Sequence, residues 1–141
     1  MNNKICQRGE FTAIELPAST TIYPGMLLEE TSTGKLQPHS TAGGFGECIV
    51  AQEDALQGRI VTDTYAADEP VNAYIYRSGV ISMALLLAGS NYTVGTKLIS
   101  DGAGRLKPTT GSPTKHFATV ITALDLSASR TANTLGQVRF H

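Results

Sequence analysis

Acidic side chains form the densest group of potentially catalytic residues in this sequence. Five carboxylates gather in its middle, at Glu53, Asp54, Asp63, Asp68 and Glu69. A hydrolase can use two such groups, because one carboxyl group donates a proton while the other acts as base or nucleophile. No spacing marks a particular pair, and a solvated acidic edge is the simpler interpretation. An enzyme with a scattered carboxylate site stays a hypothesis that the pattern itself does not predict.

The histidines and cysteines do not stand in a recognisable catalytic or metal-binding motif. A nucleophilic triad needs a His and an acid arranged around one nucleophile. His39 and His116 each follow a predicted hairpin in a stretch rich in Ser and Thr, which favours surface or interface side chains. Cys6 and Cys48 stand singly, so we predict free thiols rather than a zinc site or a disulfide. We therefore predict no catalytic residue, no metal site, no cofactor and no enzymatic activity.

Two glycine-containing stretches match phosphate-binding loops only in part. A P-loop has a glycine five positions before its Gly-Lys pair, and Glu29 occupies that position before Gly34 and Lys35. In AGGFGE the third glycine of a dinucleotide motif would fall on Ile49. The basic residues are spread singly and are balanced by acids, which argues against a surface that follows phosphates. We expect no direct contact with nucleic acid.

The composition indicates one folded domain with an unusually small share of charged residues. The chain has 141 residues, of which 41% are hydrophobic, and a net charge of −1. Charged residues make up 16%, against about 25% in typical soluble domains. Because interface cores are depleted in charge, part of the surface is expected to be covered by other subunits or a partner. No apolar run approaches the ~20 residues of a membrane span, so we predict no membrane partner.

A hairpin-like unit occurs twice along the chain. PGMLLEETSTGKLQP at 24–38 matches VGTKLISDGAGRLKP at 94–108 when the copies are shifted by 70 positions. Short β-compatible arms flank glycines that can adopt the positive φ of tight turns, which predicts a hairpin in each copy. An apolar run follows each hairpin, and a shift of 71 pairs Val50 with Ile121 and Arg59 with Arg130. We assign structural turns to Gly25, Gly34, Gly95, Gly102 and Gly104.

Short strands separated by turn residues predict an all-β fold. Val71, Ala73 and Ile75 alternate with polar or aromatic residues, as in a half-buried strand. SMALLLAGSN at 82–91 is the one candidate for a short helix. We predict a compact antiparallel β-sandwich or small barrel with two related hairpin-loop-strand halves at approximately 23–59 and 93–130. An irregular N-terminal arm over 1–21 precedes a single β domain over 22–141.

The sequence between 22 and 126 contains three stretches with a familiar pattern. They are the Pro24-Gly25 opening, the DEPV approach to a strand at 68–71, and LLAGSNYTVGTKLISDGAGRLKP. Together they resemble the head decoration, or capsid cement, proteins of tailed bacteriophages. The resemblance implies a structural protein that is made in the host cytoplasm and binds the exterior of the expanded capsid in the virion. It also implies the major capsid protein as partner, a homotrimer on the capsid, and stabilisation of the shell against internal pressure.

The N-terminal arm is the segment that we assign to capsid contact, because an unpaired strand can add to a sheet edge. A disordered terminus is the alternative for this segment. The assigned residues, with Ile5 and Phe11 as apolar anchors, are Asn3, Lys4, Ile5, Arg8 and Phe11.

A different function also fits the sequence: a soluble β-barrel module that binds carbohydrate or a small ligand. It would place tyrosines and STAGGFG at the barrel mouth, and it predicts a discrete pocket. The tyrosines concerned, which also suit packing in a core or interface, are Tyr65, Tyr74, Tyr76 and Tyr92.

Overall fold

A computed structural model describes residues 4–44, 46–109, 116–128 and 134–141 of the chain. Within these ranges the regular structure is β-strand apart from one 3-10 turn at Ala55–Gln57. The all-β prediction is therefore confirmed. The strands are β1 (Cys6–Arg8), β2 (Phe11–Pro17), β3 (Leu27–Glu30), β4 (Leu36–Pro38), β5 (Ile49–Ala51), β6 (Pro70–Tyr76), β7 (Ile81–Leu86), β8 (Asn91–Tyr92), β9 (Lys97–Ser100), β10 (Leu106–Pro108), β11 (Ala118–Val120), β12 (Leu124–Asp125) and β13 (Thr134–Phe140).

Five strands close into a small barrel. Its order is β7-β10-β9-β11-β13, and the barrel closes because β13 also pairs with β7. Strand β10 joins β7 through a parallel contact of Leu106 with Leu86, whereas its pairing with β9 is antiparallel. Strand β1 extends the sheet beside β7, and β8 pairs with β12 in a separate two-stranded ribbon. Closure pairs the backbone N–H and C=O groups that the edge strands of an open sheet would expose.

The remaining five strands form a second sheet with the same spatial order. This sheet runs β2-β6-β5-β3-β4. A parallel bridge between Ala18, just after β2, and Leu36 in β4 brings its two edges together. The bridge corresponds to the parallel contact between Leu86 and Leu106 in the closed barrel. In both sheets, therefore, a hairpin, a third strand and two longer strands follow one another in the same order around the sheet.

The strand registers show how the two hairpins correspond. Leu28 lies opposite Pro38, and Leu98 lies opposite Pro108, which is the same register at a shift of 70. In the following strand the shift is different, because Ile49 pairs with Leu28 whereas Ala118 pairs with Leu98. The shift there is 69, since the second connection is one residue shorter.

The predicted alignment of the third strand at a shift of 71 is therefore two residues out of register. The position equivalent to Val50 is occupied by Thr119, not by Ile121. Arg130, the predicted equivalent of Arg59, lies outside the described residues. The repeat bounds at 23–59 and 93–130, and the division into an arm over 1–21 and a domain over 22–141, stay predictions.

Two adjacent hydrophobic clusters fill the sheets. One cluster occupies the closed barrel and includes Leu98, Leu106, Phe117 and Phe140, but also Val50 from the second sheet. The other lies within the second sheet, and its members include Ile22, Leu28, Leu36, Tyr65 and Val71. Because residues of each half enter both packing regions, the two sheets stabilise each other.

The expected irregular structure of residues 1–21 is wrong at Cys6–Arg8 and Phe11–Pro17, which are the strands β1 and β2. Strand β2 pairs with β6 over seven positions, from Phe11 opposite Tyr76 to Pro17 opposite Pro70. Strand β1 pairs with β7, with a shift in register between Cys6 and Arg8. The physical reason is the alternation of Ile14 and Leu16 with more exposed residues, which gives β2 one face for the core.

The stretch 82–91 is a strand followed by a turn, not a short helix. Strand β7 covers its first half, 82–86, and pairs with β13 from Ile81 to Leu86. Met, Ala and Leu favour a helix locally, but pairing in the barrel overrides that preference. In the described part of the chain, no helix combines the length and the apolar character needed to cross a membrane.

Candidate functional site

The predicted contact residues lie where β1 turns into β2. Lys4, Arg8 and Phe11 are exposed, and Gly9 between the two strands has a φ of +123°. A side chain at Gly9 would overlap Val80, so the chain passes close to the start of β7 at this corner. Asn3 lies outside the described residues. The corner therefore presents two cations and one aromatic ring to solvent, together with the exposed carboxylate of Glu10, which lies 3.9 Å from Arg77.

Ile5, the other predicted apolar anchor, is buried within the chain's own core. Its carbonyl accepts a hydrogen bond of 2.8 Å from the N–H of Met83. Its own N–H donates to Oε2 of Glu53 at 2.9 Å, and the N–H of Cys6 donates to Oε1 of Gln52 at 3.2 Å. In this conformation Ile5 anchors β1 to the body of the protein and offers no surface to a partner. Capsid contact stays a prediction for Lys4, Arg8 and Phe11.

A stacked pair of one exposed and one half-buried aromatic ring forms the apolar part of the corner. The rings of Phe11 and Tyr74 are stacked, with centroids 3.8 Å apart and an interplanar angle of 4°. They border a cleft of about 380 Å³, and the other residues that line it include Lys4, Arg8, Gln52 and Glu53. Burial raises the pKa of the Tyr74 hydroxyl, and the nearby Glu53 carboxylate acts in the same direction. The pair is neutral at physiological pH and suits apolar contact beside positive charge.

A buried network of hydrogen-bonded side chains supports this corner from the core side. Nε2 of Gln52 donates to the hydroxyl of Tyr76 at 2.8 Å, and that hydroxyl lies 2.8 Å from Oγ of Ser82. Oγ of Ser82 in turn lies 3.0 Å from the carbonyl oxygen of Ile5. Desolvation raises the pKa of Tyr76 strongly, so its hydroxyl stays protonated and hydrogen-bonded. The network fixes β1 relative to β6 and β7.

The carboxylates singled out in the sequence take part in different ion pairs and hydrogen bonds. Asp68 pairs with Lys35 at 2.7 Å, and Glu69 pairs with Arg59 at 2.7 Å. Oδ2 of Asp63 accepts from a backbone N–H three residues earlier, and Glu53 accepts from the N–H of Ile5. Within the described ranges, no three His, Cys, Asp or Glu side chains are grouped to hold a metal ion. Asp54 and Glu69 line one cleft together with Glu15, and Arg59, which pairs with Glu69, lines it as well.

The histidines occupy two different environments, and one of them was not expected. His39 is buried rather than on the surface, with Nδ1 2.8 Å from Oγ of Ser100 and its ring edge-on to Phe117. The surface prediction for His39 is therefore wrong, because the turn after β4 folds inward against the other sheet. The sequence carried no local signal for this burial, because His39 directly follows the short strand Leu36–Pro38 and its partner Ser100 is 61 positions away.

His116 and His141 lie together at the edge of the closed barrel. Their ring centroids are 4.5 Å apart, and Nε2 of His141 lies 2.6 Å from Oγ1 of Thr119. Burial lowers the pKa of His116, and the charge of Lys97 lowers it further. Burial also lowers the pKa of His141, followed by the effects of His116, Arg139 and Lys97. Both histidines are mainly neutral at pH 7, and the Thr119 hydroxyl is the side-chain group that the structure places in hydrogen-bond contact with His141.

The tyrosines proposed for a ligand-binding mouth are mostly internal. The hydroxyl of Tyr65 donates to the carbonyl of Gln52 at 2.7 Å, and that of Tyr92 donates to the carbonyl of Leu87 at 2.6 Å. Both rings are buried and fill the sheets rather than line an opening. Beside STAGGFG lies a cleft of about 240 Å³ lined by carboxylates and His39. Phe45 of that stretch lies outside the described residues.

The five predicted turn glycines all have positive φ, between +78° and +90°. They are not equivalent in their surroundings. A Cβ at Gly25 would overlap the side chain of Leu135, and one at Gly104 would overlap Met26. Gly25 and Gly104 therefore permit close packing between the two sheets as well as a turn. The remaining three are Gly34, Gly95 and Gly102.

Comparison with known proteins gives one informative result, and it concerns the fold. No protein-family model and no curated protein matches the sequence. The structure is similar to the crystal structure of the N base of head fiber gp8.5 in bacteriophage phi29, with a TM-score of 0.60. The similarity covers 94% of this chain and 95% of that chain, at 12% sequence identity. The chain therefore shares its all-β fold, over nearly its whole length, with the base of a bacteriophage head fiber.

Proposed function

We propose that this chain is a structural virion protein that binds the outer surface of an expanded phage capsid and stabilises it. The observation that carries the proposal is the fold shared with the base of a phage head fiber over 94% of the chain. The sequence resemblance to capsid decoration proteins points to the same class of partner. In this proposal the protein catalyses no reaction and uses no cofactor.

The proposed partner is the major capsid protein, and the proposed contact is the corner between β1 and β2. Lys4 and Arg8 supply positive charge there, and the ring of Phe11 supplies apolar area against Tyr74. Gln52 and Glu53 hold β1 in place through its backbone N–H groups. A preorganised corner loses little conformational entropy on binding, which favours affinity.

Assembly as a homotrimer on the virion exterior is the second part of the proposal. Each subunit contact can be weak, because neighbouring subunits that are already attached raise the effective concentration of the next contact. The low share of charged residues, 16%, supports burial of some surface in such an assembly. Synthesis in the host cytoplasm, followed by addition to the expanded shell, is the proposed route.

Co-sedimentation with expanded empty capsids of the source phage tests the proposal. The wild-type chain is expected to pellet saturably with the capsids. Phe11→Ala and the charge reversals Lys4→Glu and Arg8→Glu are expected to weaken binding by about tenfold or more when combined. Val94→Ala is the matched control, because Val94 is an exposed apolar residue on the turn before β9. Absence of saturable binding by the wild-type chain would refute capsid attachment.

A further inference from the structure

One edge of strand β2 is unpaired. In the described part of the chain β2 forms a ladder only with β6, and the bridge of Ala18 to Leu36 begins beyond its end. The N–H of Arg77 donates to the carbonyl of Glu10, which continues the ladder and fixes its alternation. The backbone N–H and C=O groups of the even-numbered residues of β2 therefore form the hydrogen bonds with β6.

The odd-numbered residues of β2 direct their backbone groups away from β6. These residues are Phe11, Ala13 and Glu15, and all three are exposed. Natural edge strands are usually protected by lysine, by an internal proline or by a bulge. Strand β2 contains no lysine, its proline stands at its last position, and its register with β6 has no shift. The edge is therefore open to a further strand.

Exposed apolar side chains flank the open edge at both of its ends. Phe11 is 42% exposed at one end, although it stacks on Tyr74. Leu56 is 98% exposed, and it borders a cleft of about 370 Å³ together with Glu15 and Asn72 at the other end. A leucine so fully exposed in a turn makes no contact that would stabilise its own chain. Single exposed apolar residues are common on protein surfaces, so these two side chains gain meaning only together with the open edge.

We propose that β2 pairs in antiparallel orientation with β2 of a second copy of this chain, around a two-fold axis at Ala13. In this register Ala13 lies opposite Ala13 of the second copy, and Phe11 lies opposite Glu15. About six backbone hydrogen bonds form across the strand pair. Like charges are not directly opposed, since each Glu15 lies opposite a phenylalanine. The small Ala13 side chains allow close approach at the axis.

The two-fold axis also brings Phe11 of one copy towards Leu56 of the other. Phe11 of one copy lies at the Glu15 end of the other, where the side chain of Leu56 is exposed. The surface is thus complementary to itself, as an isologous interface requires. A lone extended segment of another protein would satisfy the backbone groups but would leave Leu56 uncovered. This is why the occupant is a second copy.

This contact shares Phe11 with the proposed capsid-binding corner, but it joins two copies of the chain and forms without the capsid, and it differs from the proposed three-fold assembly. Alone it produces a dimer, and added to a trimer it links two trimers into a hexamer. In either case its loss halves the mass of the particle in solution. The inference can therefore be tested on the purified full chain without capsids, and it can fail while the proposed function holds.

Light scattering of the Ala13→Pro variant is the experiment. Proline at position 13 removes an N–H that faces the open edge, so the ladder with β6 keeps its bonds. We expect the wild-type chain to have an even number of subunits at about 100 µM, and Ala13→Pro to have half that mass with an unchanged circular dichroism spectrum. As a second variant that leaves the strand intact, Leu56→Ser is expected to weaken association at least tenfold.

Val94→Ser is the control for loss of an exposed apolar side chain elsewhere, and it should leave the mass unchanged. Amide hydrogen exchange gives an independent readout, because Ala13 should be protected in a concentration-dependent way while Ile14 is protected at all concentrations. A wild-type chain that is monomeric, or trimeric with no change in mass in both variants, would overturn the inference.

Discussion

Gly104 and Gly34 have nearly the same backbone φ, +79° and +78°, but only Gly104 is packed against another residue. A Cβ at Gly104 would overlap the side chain of Met26, whereas a Cβ at Gly34 would meet open space. The carbonyl of Gly104 also accepts a hydrogen bond of 2.8 Å from the N–H of Leu27. The turn of the second hairpin is thus part of the contact between the two sheets.

Alanine at these two glycines should therefore have unequal effects. Gly34→Ala is expected to lower the free energy of unfolding by about 1 kcal/mol, the cost of a left-handed residue with a Cβ. Gly104→Ala should cost roughly 3 kcal/mol, because overlap with Met26 adds to the same backbone cost. Urea denaturation of both variants measures the difference. Equal losses would show that Gly104 does not pack between the sheets.

Ser82→Ala should destabilise the protein through its buried hydroxyl. The substitution leaves the carbonyl of Ile5 and the hydroxyl of Tyr76 without one of their partners in the core. We expect a loss of about 1–3 kcal/mol in the free energy of unfolding. Ser127→Ala is the control, because the Ser127 hydroxyl bonds Asp125 on the surface. A Ser82→Ala variant as stable as the control would argue against the network.

Stability should decrease as pH falls below about 6.5, the ordinary pKa of histidine. The folded protein lowers the pKa of both His116 and His141, so the unfolded chain binds more protons in this range. The stabilisation is complete above pH 6.5 and is lost as the pH falls towards the folded pKa values. His116→Leu should reduce this slope, and thermal unfolding between pH 8 and pH 5 measures it.

Two outcomes distinguish this histidine effect from other titrations. Asp125 and Glu29 also have lowered pKa values, chiefly through hydrogen bonds from Ser127 and Ser40, but they titrate below about pH 4.5. A fall in stability that begins only in that lower range would contradict the role of the histidine pair. An unchanged slope in His116→Leu would contradict it as well.

Ile5 and Phe11 should respond differently to truncation. Ile5→Ala removes a buried side chain and should lower the free energy of unfolding by about 2–5 kcal/mol. Phe11→Ala removes a half-exposed ring that stacks on Tyr74, and should cost about 1 kcal/mol or less. Chemical denaturation of the two variants checks this order. The reverse order would mean that Ile5 is available at the surface, as the sequence predicted.

The sequence allowed the hairpins to be predicted because their signals are local. Glycines at fixed distances from short apolar arms specify tight turns, and Val71 and Ala73 show the alternation of a half-buried strand. The N-terminal strands could not be predicted in this way. The partner of β2 is some 60 residues away, and only tertiary pairing distinguishes such a segment from an arm.

The sequence did not predict the orientation of the side chains that we assign to capsid contact, and the contact itself stays a prediction. Lys4, Arg8 and Phe11 do lie together at one exposed corner, but Ile5 points into the core. An apolar residue near a terminus has the same local sequence pattern whether its side chain is buried in the core or exposed at the surface. The burial of His39 was missed for a related reason, because the contact with Ser100 joins residues 61 positions apart.

The thermal rupture of DNA-filled heads tests the central claim most directly. Heads of the source phage that lack this protein are heated with increasing amounts of the purified chain, and DNA release is followed with a fluorescent dye. We expect the rupture temperature to rise and to reach a plateau when binding saturates. Heads that bind the chain saturably but rupture at an unchanged temperature would contradict stabilisation, and heads that bind none would contradict the proposed function as a whole.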